Sequence, residues 1–130
     1  MNGEQIVNQN TGCNVLRSKF YVCPICGNLL TSMGDAVISC CGVTLPPLEG
    51  EAPDEAHEIR LERVEDETLV TLNHPMSKSH YISFLAFVSS DRMQLVKLYP
   101  EQSAEARLQL RGHGFLYACC NRHGLFKLKI

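Results

Sequence analysis

From His57 to the C-terminus the chain keeps returning to an alternation of apolar and polar residues. HEIRLERV sets His57, Ile59 and Leu61 on one face and Glu58, Arg60 and Glu62 on the other, the two-residue period of a strand. ETLVTLN follows after a charged turn at Glu65–Asp66. YISFLAFVS is the most apolar run and is rich in aromatic and β-branched residues, which favour pleated, buried surfaces. RMQLVKLYP, ARLQLRG, GFLYACC and LFKLKI complete seven short segments, parted by turn signals such as SSDR, PEQS and GHG. Seven short strands at this spacing predict an all-β chain with an immunoglobulin-like, seven-stranded β-sandwich over residues 57–130. No segment has a helical period.

Upstream the pattern changes. Residues 1–19 are polar and read as an irregular leader. Residues 20–48 carry four spaced cysteines among Gly and Pro, a segment too short to bury a self-sufficient core and in need of a metal or cross-link. PPLEGEAPDE then holds three Pro, one Gly and four acidic residues, so residues 49–56 read as a linker.

Composition narrows the class. Of the 130 residues, 45% are apolar and 20% charged, and 12 Lys and Arg against 14 Asp and Glu leave a net charge of −2. The balance is that of a folded chain without the basic face that nucleic acid requires. No apolar run is long enough to span a bilayer, and MNGEQIVNQN lacks the basic start and apolar stretch of a secretion signal. The expectation is a cytoplasmic protein that binds neither nucleic acid nor membrane.

Seven cysteines, an odd count, argue against a closed disulfide framework. Thiols crowd the N-terminal third while His57, His74, His80, His113 and His123 all lie in the remainder. The segregation predicts two different metal sites. In the first, Cys23-Pro-Ile-Cys26-Gly is followed by Cys40-Cys41-Gly, with 13 residues between Cys26 and Cys40. A Cys-x-x-Cys turn puts two sulfurs on one ion, and four thiolates select iron or zinc. Neighbouring side chains such as Cys40 and Cys41 tend to diverge, so holding both on one ion should distort a sulfur–metal–sulfur angle. A purely structural zinc knuckle is the plain alternative.

The second set comprises His57, His74-Pro-Met-Ser-Lys78-Ser-His80-Tyr-Ile and Cys120-Asn-Arg-His123-Gly. Each histidine alone has an ordinary structural explanation. Together, four imidazoles and one thiolate fall at strand ends and loops, where a rigid sandwich can gather them. His113, in Arg-Gly-His-Gly, reads as a surface residue. Alternation turns Cys119 to the face of Tyr117 and Phe115, as a small buried hydrophobe, and Cys13 belongs to neither set.

At these residues the chain resembles the superoxide reductases, through His-Pro-Met-x-x-x-His-Tyr-Ile, Cys-Asn-x-His-Gly and the preceding Glu-x-His. The Cys-x-x-Cys and Cys-Cys pair resembles the desulforedoxin module fused to them in desulfoferrodoxins. The resemblance implies iron at the four-cysteine site, with zinc replacing it in some preparations. It also implies a second iron with His57, His74, His80 and His123 equatorial, Cys120 axial and a sixth position open. Glu55 matches a glutamate that can bind the ferric iron. The implied reaction is one-electron reduction of superoxide to hydrogen peroxide, with re-reduction by an external donor such as a rubredoxin-type protein, in a homodimer. A non-catalytic iron electron-transfer or metal-binding protein on the same fold is the alternative. Two positions depart from the family: Ala56 stands where a lysine drawing in superoxide is common, and Ile59 where a proline is. Lys78, between two expected ligands, is the candidate substitute for that lysine.

Overall fold

The structure, a computed structural model, describes residue 12 and residues 14–130. Cys13 and most of the expected leader lie outside the described residues. The N-terminal module consists of two antiparallel hairpins: β1 (Lys19–Val22) with β2 (Leu29–Ser32), and β3 (Ile38–Cys40) with β4 (Val43–Leu45). The remaining strands are β5 (Ile59–Val64), β6 (Glu67–Leu72), β7 (Ile82–Val88), β8 (Met93–Lys97), β9 (Glu105–Leu108), β10 (Phe115–Cys120) and β11 (Gly124–Lys129). They form a three-stranded sheet, β5-β6-β9, and a four-stranded sheet, β11-β10-β7-β8. Every ladder is antiparallel. The seven segments of the alternating pattern thus form the immunoglobulin-like sandwich. Among the described residues no helix is long and apolar enough to cross a membrane.

Between the sheets lie Val70, Leu85, Phe87, Leu98, Leu116 and Phe126, all buried. The other face of the four-stranded sheet is not left to water. Phe84, Ala86 and Val88 of β7 and Tyr117 and Cys119 of β10 pack there against Phe20. The Phe20 ring lies 5.2 Å from that of Phe84 and 5.1 Å from that of Tyr117. This double coverage explains why β7 is apolar nearly throughout: both of its faces are interior, as in a strand at the centre of a layered fold.

Two local details position the functional residues. Along β10, Cys119 pairs with Phe84 but Cys120 pairs with Ile82, so the ladder skips Ser83. Such a bulge re-aims a strand end, and here it sets Ile82 and Cys120 together in the inter-sheet core. Within the stretch 49–56, Glu51 forms a parallel bridge to Phe126 of β11. Glu51 N–H donates to Leu125 O at 3.0 Å, and Lys127 N–H donates to Glu51 O at 2.8 Å.

One expectation about strand alternation is corrected. His57 ends a 3₁₀ turn, Glu55–His57, and β5 begins only at Ile59. Leu61, expected to face inward with His57, is 43% exposed. The reason is that β5 is the edge of the smaller sheet and has a strand partner on one side only.

Candidate metal centres

The four thiols of the module come together on two turns. After Cys23, Gly27 N–H donates to Cys23 O at 2.9 Å, with Gly27 at φ +73°. The second turn joins β3 to β4, where Cys40 pairs with Val43. Its two central residues, Cys41 (φ +53°) and Gly42 (φ +74°), both have positive φ, the signature of a type I′ hairpin turn. Left-handed backbone at Cys41 is what makes adjacent sulfurs converge. Cys40 Sγ lies 4.0 Å from Cys41 Sγ and 3.6 Å from Cys26 Sγ. All four sulfurs are within 4.8 Å of one another, and Cys23, Cys26, Cys40 and Cys41 are free thiols. A thiolate–metal bond of about 2.3 Å gives tetrahedral edges of about 3.8 Å, so the cluster fits one tetrahedral ion.

Protons are unevenly held in this cluster. Hydrogen bonding from the Cys26 backbone draws the Cys23 thiol down to about 7. Cys41 is pushed up to about 12, first by Cys26 and then by its other sulfur neighbours. An incoming cation must displace the remaining protons.

The second centre is assembled by three separate segments at one end of the sandwich. The 3₁₀ turn supplies His57, the loop after β6 supplies His74 and His80, and the β10–β11 turn supplies Cys120 and His123. Neighbouring ring centroids lie 5.0 Å apart for His57–His74, 4.6 Å for His74–His80, 5.1 Å for His80–His123 and 5.0 Å for His123–His57. The four rings close a square. Imidazole nitrogens about 2.1 Å from a shared ion would set neighbouring rings about 4.6 Å apart.

Three buried nitrogens, Nε2 of His57, His74 and His80, have no hydrogen-bond partner. Orphaned buried polar atoms are rare and call for an explanation; a metal ion is one these residues fit. Ligand atoms of His57, His74, His80 and Cys120 lie within 4.8 Å of one another. His123 lies outside that set of mutually close ligand atoms; its ring closes the square, and its Nδ1 is 3.4 Å from Cys120 Sγ. Cys120 is 1% exposed and belongs to the inter-sheet core, so the sulfur approaches the square from the buried side. Burial, the leading cause, lowers the pKa of both His74 and His80, which disfavours the protonated form of these two rings.

Other expected residues are placed as follows. Glu55, in the 3₁₀ turn, and Lys78, in the turn Ser77–His80, are exposed. Cys119 faces away from the square among Tyr117 and Phe84, and burial pushes its thiol up to about 11. His113 precedes β10 and so sits at the end of the sandwich opposite Cys120. A cleft of about 610 Å³ is lined by Cys23 and Cys26 of the sulfur cluster and by Cys119, Cys120 and Arg122, but by none of the four histidines of the square.

Three residues that hold the square carry no obvious sequence signal. Asn121 ties the β10–β11 turn to the His80 loop: its Oδ1 accepts from Tyr81 N–H at 2.8 Å and its Nδ2 donates to Ser79 O at 3.1 Å. Phe126 stacks on the His57 ring, with centroids 4.2 Å apart and planes 18° from parallel. Asp54 caps the 3₁₀ turn; an Asp three residues before a ligand on a short turn was the one legible hint.

Comparison with known proteins bears on family and fold. The family model described as Desulfoferrodoxin matches residues 51–129. The chain is 35% identical over 65 residues to a desulfoferrodoxin of Clostridium acetobutylicum, covering 50% of this chain and 52% of that protein. It is 26% identical to a desulfoferrodoxin homolog of Archaeoglobus fulgidus, over 82% of this chain and 93% of the relative. The crystal structure of the superoxide reductase from Treponema pallidum aligns with a TM-score of 0.75 at 21% identity, covering 86% of this chain and 98% of that one. A superoxide reductase from Giardia intestinalis aligns over 59% of this chain and 98% of its own, with a TM-score of 0.50 at 15% identity. At these identities the structural likeness is one of fold, whereas the family model covers well over half of the sequence, including every histidine and Cys120. The chain belongs to the desulfoferrodoxin family.

Proposed function

We propose that the protein is a superoxide reductase, using one electron and two protons to convert superoxide to hydrogen peroxide at an iron held by His57, His74, His80, His123 and Cys120. The observation that carries this reading is the convergence of three orphaned Nε2 atoms beside a buried thiol. Imidazoles with one thiolate suit iron. Bound iron would supply the electron and an open coordination position. The chain's own groups set the direction of approach and the charge. Cys120 lies on the core side, and Glu55 and Lys78, on segments that carry the histidines, are exposed. Four neutral imidazoles and one thiolate leave a ferrous site with net positive formal charge, which attracts an anion. The Cys120 thiolate pushes electron density toward the site and favours its giving an electron up. Glu55 is assigned to the ferric resting site and Lys78 to drawing in the anion; both stand on segments that also carry ligands. The four-sulfur site holds iron, with zinc as a substitute. The reading includes an external donor of the rubredoxin type and a homodimer, from the family resemblance, and a cytoplasmic location, from the N-terminal sequence.

Anaerobically prepared protein should contain two metal ions per chain, at least one of them iron, and its ferrous form should consume superoxide stoichiometrically in pulse radiolysis. A single zinc per chain with no sulfur-to-iron absorption would sink the reading. Iron without superoxide consumption would favour an electron-transfer protein.

Capture of the anion should respond to charge at position 56. Unit charges about 4 Å apart interact by roughly 4 kcal/mol at an effective dielectric of 20 and by roughly 1 kcal/mol in water. A solvated lysine lies near the lower figure, so Ala56→Lys should raise the second-order rate severalfold and steepen its fall with ionic strength. Lys78→Ala should lower the same rate. Fast kinetics across a salt series measures both; rates indifferent to both substitutions would remove the electrostatic account.

A further inference from the structure

His57 differs from the other imidazoles in what lies behind it. The Asp54 carboxylate oxygen Oδ1 accepts from the His57 backbone N–H at 2.9 Å and lies 2.6 Å from His57 Nδ1. A carboxylate only accepts, so Nδ1 carries the proton and the lone pair of Nε2 faces the square. The ring itself is 3% exposed and clamped against Phe126, leaving it little freedom to turn. His74 Nδ1 instead donates to the neutral Pro75 carbonyl at 2.7 Å. The geometry points to Asp54 as a positioning residue that, through its carboxylate on His57 Nδ1, fixes the tautomer of this ligand and strengthens it as a donor to the iron. This rests on the reading that the histidine site holds iron. Such carboxylate–histidine–metal arrangements orient the ring and raise ligand basicity, and losing the outer partner typically costs about 10–100-fold in metal affinity. A more basic imidazole favours the ferric over the ferrous ion, so the carboxylate should also hold the reduction potential down.

The two roles of Asp54, capping and charge, are separable. Asp54→Asn keeps an oxygen that can accept from His57 N–H but removes the negative charge; Asp54→Ala removes both. Ferrous protein is competed against a chelator under anaerobic conditions, with iron at the histidine site counted by its sulfur-to-iron absorption after oxidation. The midpoint potential of the same absorption is titrated. Asp54→Ala should lose iron about 10–100-fold more readily than the natural protein. Asp54→Asn should keep the natural melting temperature, lose part of the affinity and shift the potential upward, by about 59 mV for each tenfold by which ferric binding weakens more than ferrous. If Asp54→Asn matches the natural protein in both affinity and potential, Asp54 is a backbone cap alone and the inference is overturned. If natural protein takes up no iron at the histidine site, the functional reading fails before this one is reached.

Discussion

Replacing Cys120 by Ser is expected to abolish the sulfur-to-iron absorption of the histidine site, while Cys119→Ser leaves it intact. The two neighbours sit on opposite faces of β10: Cys120 in the inter-sheet core beside Ile82, Cys119 on the outer face with Phe84 and Tyr117. Only Cys120 has its sulfur against the histidine square. As a direct ligand its loss should weaken iron retention by more than the roughly 10–100-fold typical of an outer partner. Superoxide reduction should fall with it. Cys119→Ser buries a hydroxyl where a thiol sits today, at a cost of about 1–3 kcal/mol in stability if that hydroxyl finds no partner. Visible spectra of the two variants decide the matter; loss of the band from Cys119→Ser alone would mean that the register of β10 is misassigned.

Phe20→Ala should be the most damaging single change remote from either candidate metal centre. Phe20 is 1% exposed and joins the N-terminal module to the sandwich through the rings of Phe84 and Tyr117. Truncating a buried phenylalanine typically costs about 3–5 kcal/mol, because the lost burial is compounded by the cavity left behind. For a domain of this size that is a fall in melting temperature on the order of 10 °C or more. Calorimetry of metal-loaded protein measures it. The histidine site is built wholly from segments after residue 50, so the variant should still take up iron there at a temperature where it is folded. A change of less than about 2 °C would mean that the module does not lean on Phe20 for its attachment.

Much of this molecule is written in short-range order. Alternation over two residues marks the seven strands because each strand has to present one face to a core. The Cys23/Cys26 and Cys40/Cys41 pairs announce a sulfur site because close spacing in sequence fixes closeness in space. Five of the residues now gathered around the square were legible as a set for a related reason: loops at strand ends are where a sandwich can bring side chains together.

The tertiary structure decided what no local pattern encodes. A strand's period does not say whether its second face meets water, so the coverage of β7 by Phe20, more than sixty positions earlier, was invisible in the run YISFLAFVS. Nor does it reveal the skipped Ser83 that turns Ile82 into the core beside Cys120, since a bulge exists only relative to a partner strand. His57 looked like a strand residue because His57, Ile59 and Leu61 share a spacing. Asp54 capping the preceding turn ended that register, and edge position left Leu61 in solvent. Asp54, Asn121 and Phe126 act by hydrogen bond or ring contact on groups brought close by the fold. The sequence by itself therefore determined which residues could be ligands and which segments could be strands, whereas long-range packing determined which face, which nitrogen and which supporting partner each one has.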